Sequence, residues 1–273
     1  MQTHIRVLLA ASVAIFAAAQ DRHTPQQRYE LFQNHLKLRG AAVTRNQFQA
    51  INSLDDWQRR RPVVRQQYLE MLGLDPLPAR TPLNVRVTGS FEREGYRVEN
   101  IVFESMPGLY VTGNLYLPKG ARGRVPTVLY VSGHAPGPFG AKVQYQHHGI
   151  WFASHGIAAF LLDTIEFAEI PGLHHGVHDL QMQFWLSLGY TPAAVEVWNA
   201  IRALDYLETR PEVDRARIGM TGRSGGGAIT WFTAAADDRV CAAVPVHGTW
   251  SVGPHAADDV VFHNCDCIYF WNL

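Results

Sequence analysis

The chain has 273 residues, 47% of them hydrophobic and 18% charged, which is enough apolar material for one large domain with a sizeable core and too much for a disordered chain. Lysine plus arginine and aspartate plus glutamate stand at 24 each. That balance sets aside the basic classes of protein that bind nucleic acid or anionic membrane.

The first residues differ from the rest. His4 and Arg6 precede an apolar run, Val7 to Ala19, that closes in Ala17-Ala18-Ala19. Charge, apolar stretch and small residues in that order read as a signal peptide over residues 1–19, cleaved near Gln20. The run falls short of the roughly 20 apolar residues of a membrane span, and the plainer alternative is a buried N-terminal helix. A secreted or periplasmic protein, free of the membrane after cleavage, is expected.

Residues 20–82 read as a helical region and linker. Tyr29, Leu31, Phe32 and Leu36 give a helical stripe. A second helix should start after Ser53, an N-cap with Asp56 three residues on, and Pro62 should kink or divide it. Pro76, Pro78 and Pro82 mark the linker. Residues 83–273 read as the main domain. The period becomes two over Asn84–Thr88, Tyr96–Phe103 and Leu109–Leu117, with a turn at Met106-Pro-Gly108, so antiparallel strands lead in.

The pattern then alternates. Val125–Val131 is a strand ending in Ser132-Gly133-His134, and a helix runs through Trp151. Ile157–Leu162 is a near-continuous apolar run, as a strand covered on both faces should be. After a histidine-rich loop come a helix from Ala193 to Glu208, a short strand Arg217–Met220, a helix through Ala236 and a strand Val240–Val246. Alternating strands and helices predict an α/β fold, a mostly parallel sheet with helices on both faces.

Gly222-Arg223-Ser224-Gly225-Gly226 matches G-x-S-x-G. It sits between an apolar strand and a helix, the context in which this motif forms a nucleophile elbow. Only very small residues fit two positions before and after the serine. Ser224 is therefore the candidate nucleophile. The backbone N–H of Gly225, at a helix N-terminus, is one candidate oxyanion donor. The second is the backbone N–H of His134, in the loop after the preceding central strand. The alternative is a Gly-rich turn that binds phosphate, but it lacks the Lys-Ser/Thr of a P-loop.

With these elements in place, the chain resembles bacterial acetyl xylan esterase-like α/β-hydrolases. The resemblance rests on Gly95–Asn100 with Gly108–Pro118, on Pro126–His134, on Arg202–Leu207 and on Arg217–Gly227. It implies hydrolysis of a carboxylic ester on a carbohydrate or small molecule, with Ser224, Gly225 and the His134 amide as the transferable site. It implies no cofactor and no metal. Family members carry the acid and histidine of the triad after two further strands, whereas one strand follows the elbow here. The chain is thus expected to lack the final strands of its domain, with the acid and histidine beyond residue 273 and little or no activity. Asp258, Asp259, Asp266, His247, His255 and His263 are weaker local candidates.

Asp163, Glu166 and Glu169 follow the strand ending at Leu162, and either face a cleft or fix the loop. His174-His175-x-x-His178 suggests a metal-dependent hydrolase as a rival, with His175 and His178 on one helix face; a polar loop is the favoured reading. Trp185, Tyr190 and Trp198 are candidates for stacking on sugar rings or for the core. Two of Cys241, Cys265 and Cys267 could pair in an exported protein, and Cys265-x-Cys267 is too tight for a zinc knuckle. Further rivals are a non-catalytic or carbohydrate-binding remnant of the fold and a prolyl-oligopeptidase-like peptidase.

Overall fold

The structure is a computed structural model that describes residues 23–46, 48–135, 139–166, 169–170 and 172–248. Residues 1–19, the tail candidates His255, Asp258, Asp259, His263 and Asp266, and Cys265 and Cys267 lie outside the described residues. Contacts separate the described residues into 23–52 and 53–248.

The first unit holds helix α1, Pro25–Asn46. Thr24 and Gln27 cap it reciprocally: the Gln27 N–H donates to Thr24 Oγ1 (3.2 Å) and the Thr24 N–H to Gln27 Oε1 (2.8 Å). The predicted stripe is helical, yet Tyr29, Leu31 and Phe32 are exposed.

The second unit opens with α2, Leu54–Leu72. Its start is the predicted box: the Asp56 N–H donates to Ser53 Oγ (3.1 Å), which donates to Asp56 Oδ2 (2.8 Å). Pro62 lies inside this helix, which it does not divide. The helix is anchored beyond the proline. Leu72 is fully buried, Tyr68 and Leu69 pack on the core, and Gly73 at φ 77° closes the end by donating to Glu70 O.

Among the described residues one seven-stranded sheet follows, in the order β1-β2-β3-β5-β4-β6-β7. Strands β1 (Arg86–Arg93), β2 (Tyr96–Met106) and β3 (Leu109–Pro118) form an antiparallel meander that joins β5 (Ala158–Leu162) antiparallel. Strands β5, β4 (Val125–Val131), β6 (Val213–Arg223) and β7 (Val240–Val246) are mutually parallel. β6 starts earlier than the predicted Arg217. Its pairing with β4 is interrupted between Val213 and Ile218, where Asp214 is half-buried and Arg215 and Arg217 are exposed, so this stretch carries no apolar signature.

Strand alternation builds two cores. Leu129 and Val131 of β4, Phe160 and Leu162 of β5, and Ile101 and Phe103 of β2 enter one cluster with Trp198, Leu204 and Phe232. The intervening Tyr130, Ala159, Leu161 and Val98 enter the other with Tyr145 and Ala153. The first core is roofed by α7 (Pro192–Thr209) and α8 (Gly225–Ala236), and the second by the short α3 (Ala141–Gln144) and α4 (Gln146–Ser154). The histidine-rich connection holds two further short helices, α5 (Gly176–Leu180) and α6 (Phe184–Ser187). Thr191 caps α7 by accepting from the Ala194 N–H (3.0 Å) and ties it to α2 by donating to Leu72 O (3.1 Å). Among the described residues, no helix is long and apolar enough to cross a membrane.

Candidate active site

β6 ends at Arg223 and α8 begins at Gly225, so Ser224 alone makes the bend from strand to helix. Its φ of 59° and ψ of −124° lie outside the regions open to L-residues at low cost. Such a conformation costs about 1–3 kcal/mol and persists only where the surroundings hold it. Here the Ser224 N–H donates to Val246 O (2.9 Å), and Ser224 O accepts from the Ala228 N–H (3.0 Å).

The neighbouring glycines are dictated by backbone contact. A Cβ on Gly222 would stand 2.3 Å from Val131 O, and one on Gly226 would stand 2.0 Å from the same oxygen. A Cβ on Gly133 would stand 2.4 Å from Arg223 O and 3.3 Å from Ser224 Cβ. The end of β4 and the bend after β6 therefore touch main chain to main chain. That contact brings together Ser224, Gly225 and His134, the three site residues expected from the sequence. Ser224 and His134 are half-buried and Gly225 is buried at the first position of α8. Tyr145 joins them: its hydroxyl lies 3.1 Å from where a Gly133 Cβ would be. Nothing in the sequence marks it, because a tyrosine between two short helices reads as core.

The His134 ring lies against Gly225, where a Cβ would meet its Cε1 at 2.7 Å. Burial and then the neighbouring His174 push this imidazole down to about 4, so it is neutral at pH 7. His174 is fully buried, and its Nδ1 lies 3.1 Å from Oε1 of the buried Glu196 on α7. Burial alone would raise the Glu196 carboxyl, but His174 outweighs it and holds the group below its ordinary value. Glu166, at φ 74°, accepts from the N–H groups of His174 (2.6 Å) and His175 (2.8 Å), and its Oε2 lies 3.2 Å from His175 Nδ1. One ring nitrogen each of His134, His174 and His175 lies within 4.8 Å of the others. The sequence paired His175 with His178; His134, forty residues upstream, was not legible as a member. The His178 side chain is outside the described residues.

The remaining sequence candidates have structural places. Asp163 is buried and ion-paired to Lys142, and accepts from the Lys142 N–H (3.0 Å) and Thr112 Oγ1 (3.1 Å). Burial raises its carboxyl above the ordinary value despite that lysine. Lys142 also reaches Glu169 (2.6 Å), so these acids fix the loop. Trp198 is fully buried and donates from Nε1 to Ser105 O (3.0 Å), which makes it core. Trp185 packs on Gly176 and meets Tyr190 edge-on at 4.9 Å. Both remain part-accessible next to the histidine loop. His247 and Cys241 are exposed.

A parallel half-sheet covered by helices on both faces, fronted by antiparallel strands and carrying a Gly-x-Ser-x-Gly bend at the end of a central strand, defines an α/β-hydrolase. The sequence reading of the fold class is thereby met. More narrowly, the chain belongs to the acetyl xylan esterase (AXE1) family, which it matches over residues 83–251. YtaP of Bacillus subtilis, named as a hydrolase, is 28% identical over 188 residues, 64% of this chain and 60% of its own length. Among solved structures, methylesterase BT1017 superposes with a TM-score of 0.60 at 26% identity, covering 84% of this chain and 48% of that one. A glucuronoyl esterase from Solibacter usitatus shares the fold, with a TM-score of 0.52 at 19% identity over 70% of this chain and 58% of that one. The chain thus spans about half to three-fifths of the length of these relatives.

Proposed function

We propose that this chain is the nucleophile-bearing part of an exported serine esterase acting on carboxylic esters of carbohydrates. Ser224 Oγ attacks the ester carbonyl. The backbone N–H groups of Gly225 and His134 receive the charge that develops on the carbonyl oxygen, the first of them aided by the positive end of α8. The alcohol leaves, and water then releases the acyl group from Ser224. The base that takes the serine proton, and the acid that orients it, would come from outside the described residues.

The observation that carries this reading is the serine held at φ 59°, ψ −124° between a central strand and a helix N-terminus. A turn without a task at the serine would be expected to relax to glycine at that position. The family and the ester-hydrolysing names of its structural relatives support the substrate class, as do the part-accessible Trp185 and Tyr190. Removal of residues 1–19 and export are part of the same proposal.

The test is hydrolysis of 4-nitrophenyl acetate by the purified chain and by Ser224→Ala. The wild type should exceed the variant by tenfold or more at equal concentration. Hydrolysis that exceeds the buffer background and is equal in the two proteins would remove Ser224 as nucleophile.

A further inference from the structure

We infer that His134, His174 and His175 form a binding site for one divalent transition-metal ion, of which Zn2+ is the type, beside the serine bend. Three points whose mutual distances do not exceed 4.8 Å share a centre no more than about 2.8 Å from each. Zinc–imidazole bonds are about 2.0–2.1 Å long, so ring movements of less than about 1 Å would complete the shell. The rings do not stack: their planes meet at 58°, 71° and 67°. Their edges can therefore converge.

The surroundings supply what such a shell needs. A metal-binding histidine normally directs its other ring N–H to a carboxylate, which fixes the tautomer and the ring direction. Here Nδ1 of His174 lies 3.1 Å from Oε1 of Glu196 and Nδ1 of His175 lies 3.2 Å from Oε2 of Glu166, so each ring has a carboxylate against one of its nitrogens. The two carboxylates come from different elements, α7 and the loop after β5, so each ring is set by its own partner. Charge agrees as well. Two carboxylates, Glu166 and the buried Glu196, lie against the cluster, an environment that a dication would neutralise.

The location is the carboxyl end of the parallel strands. His134 leaves β4 and the His174–His175 pair lies on the connection from β5, where sites form in sheets of this kind. Gly176, pressed by Trp185, fixes the end of the pair. Three imidazoles leave a fourth tetrahedral position for water or for an oxygen of a ligand.

The site does not depend on the esterase reading, and the experiment keeps the two apart. The chain is stripped with EDTA and titrated with ZnCl2 by calorimetry, with CoCl2 as a second probe read by its visible d–d bands. One ion per chain, with micromolar or tighter affinity and the intense bands of tetrahedral cobalt, is expected. His134→Ala and His175→Ala, part-exposed positions chosen in place of the buried His174, should each weaken binding at least tenfold while the far-ultraviolet circular dichroism stays unchanged. Glu166→Gln should weaken it by about 10- to 100-fold. Ser224→Ala, Cys265→Ser/Cys267→Ser and His147→Ala/His148→Ala should bind as the wild type does. No stoichiometric binding by the wild type would overturn the inference. So would binding that survives His134→Ala and His175→Ala but disappears with the cysteines.

Discussion

Gly226→Ala isolates the contact that holds the serine bend. The added methyl would stand 2.0 Å from Val131 O and 2.8 Å from both Val131 C and Ser132 C. An unstrained carbon–oxygen contact is about 3.3 Å or longer, so β4 and the first turn of α8 must part by more than about 1 Å. No side chain can rotate away, because every atom met is main chain. Val131 is also the residue that pairs with Gly222 in the β4–β6 ladder, so the separation strains the hydrogen bonds of the central strands. Overpacking in a core costs about 1–3 kcal/mol where side chains can adjust, so about 3 kcal/mol or more is expected here. For a domain of this size that lowers Tm by roughly 6–12 °C. Gly219→Ala is the matched control. It lies on β6, the strand that leads into the bend, and its methyl would meet nothing nearer than Ala242 O at 3.4 Å. That change should be neutral or add up to about 1 kcal/mol by restricting the unfolded chain. Both variants are read by thermal unfolding followed by circular dichroism. A Gly226→Ala protein melting within about 2 °C of the wild type, or a Gly219→Ala protein falling as far as Gly226→Ala, would refute the packing argument.

Two more outcomes follow from the same geometry. Ser224→Gly should be more stable than Ser224→Ala by roughly 1–2 kcal/mol in urea unfolding, because both lose the hydroxyl but only glycine sheds the cost of a Cβ at φ 59°; equal midpoints would show that the bend is unstrained. Arg239 bridges Asp237 (2.6 Å), Asp205 (2.7 Å) and Glu208 (2.7 Å) at the junction of α7 and α8. Arg239→Met takes the guanidinium from Asp237 and Glu208 and leaves Asp205 to Arg202 and Arg80, and should cost about 2–4 kcal/mol at pH 7. Burial alone would raise Asp237, but hydrogen bonds from Arg239 outweigh it and keep that carboxyl below its ordinary value. A depressed carboxyl contributes its stability above the unfolded value of about 3.9 and loses it as pH falls through the folded value. The gap between wild type and Arg239→Met should therefore narrow below about pH 4; a gap that is constant from pH 7 to pH 3 would contradict it.

The strands were legible where one face or both are buried, because alternation or an unbroken apolar run then survives in the residues. β5 is the clearest case: all five of its residues are buried, and the run Ile157–Leu162 announced it. β6 is legible only from Arg217 because its early part, Asp214–Arg217, lies where the register with β4 is interrupted and is largely exposed. The helix continues past Pro62 because its far end is held by Leu72 and Tyr68, whose packing belongs to tertiary structure and not to the local residues. At the site, the serine and its glycines follow from a local rule, since all lie within five residues. The histidine cluster does not. His134 and His174 are forty residues apart and meet only because β4 and β5 are adjacent and parallel, a fact of topology. Tyr145 was illegible for the same reason.

The bend at Ser224 depends little on the chemistry of the serine itself. Its N–H is taken by Val246 O on β7, its carbonyl is the first acceptor of α8, and the carbonyl of Val131 on β4 blocks any Cβ at positions 222 and 226. Three strands and a helix thus fix the backbone, and the side chain is a passenger on a conformation it did not choose. Strain of about 1–3 kcal/mol at one residue is small against a centre packed main chain to main chain, so that packing can sustain it. The same crowding draws the loop after β4 over Gly225 and sets the His134 ring at the start of α8. A change that loosens β4 from β6 should therefore disturb the nucleophile position and the histidine cluster together, although no side chain of either is altered.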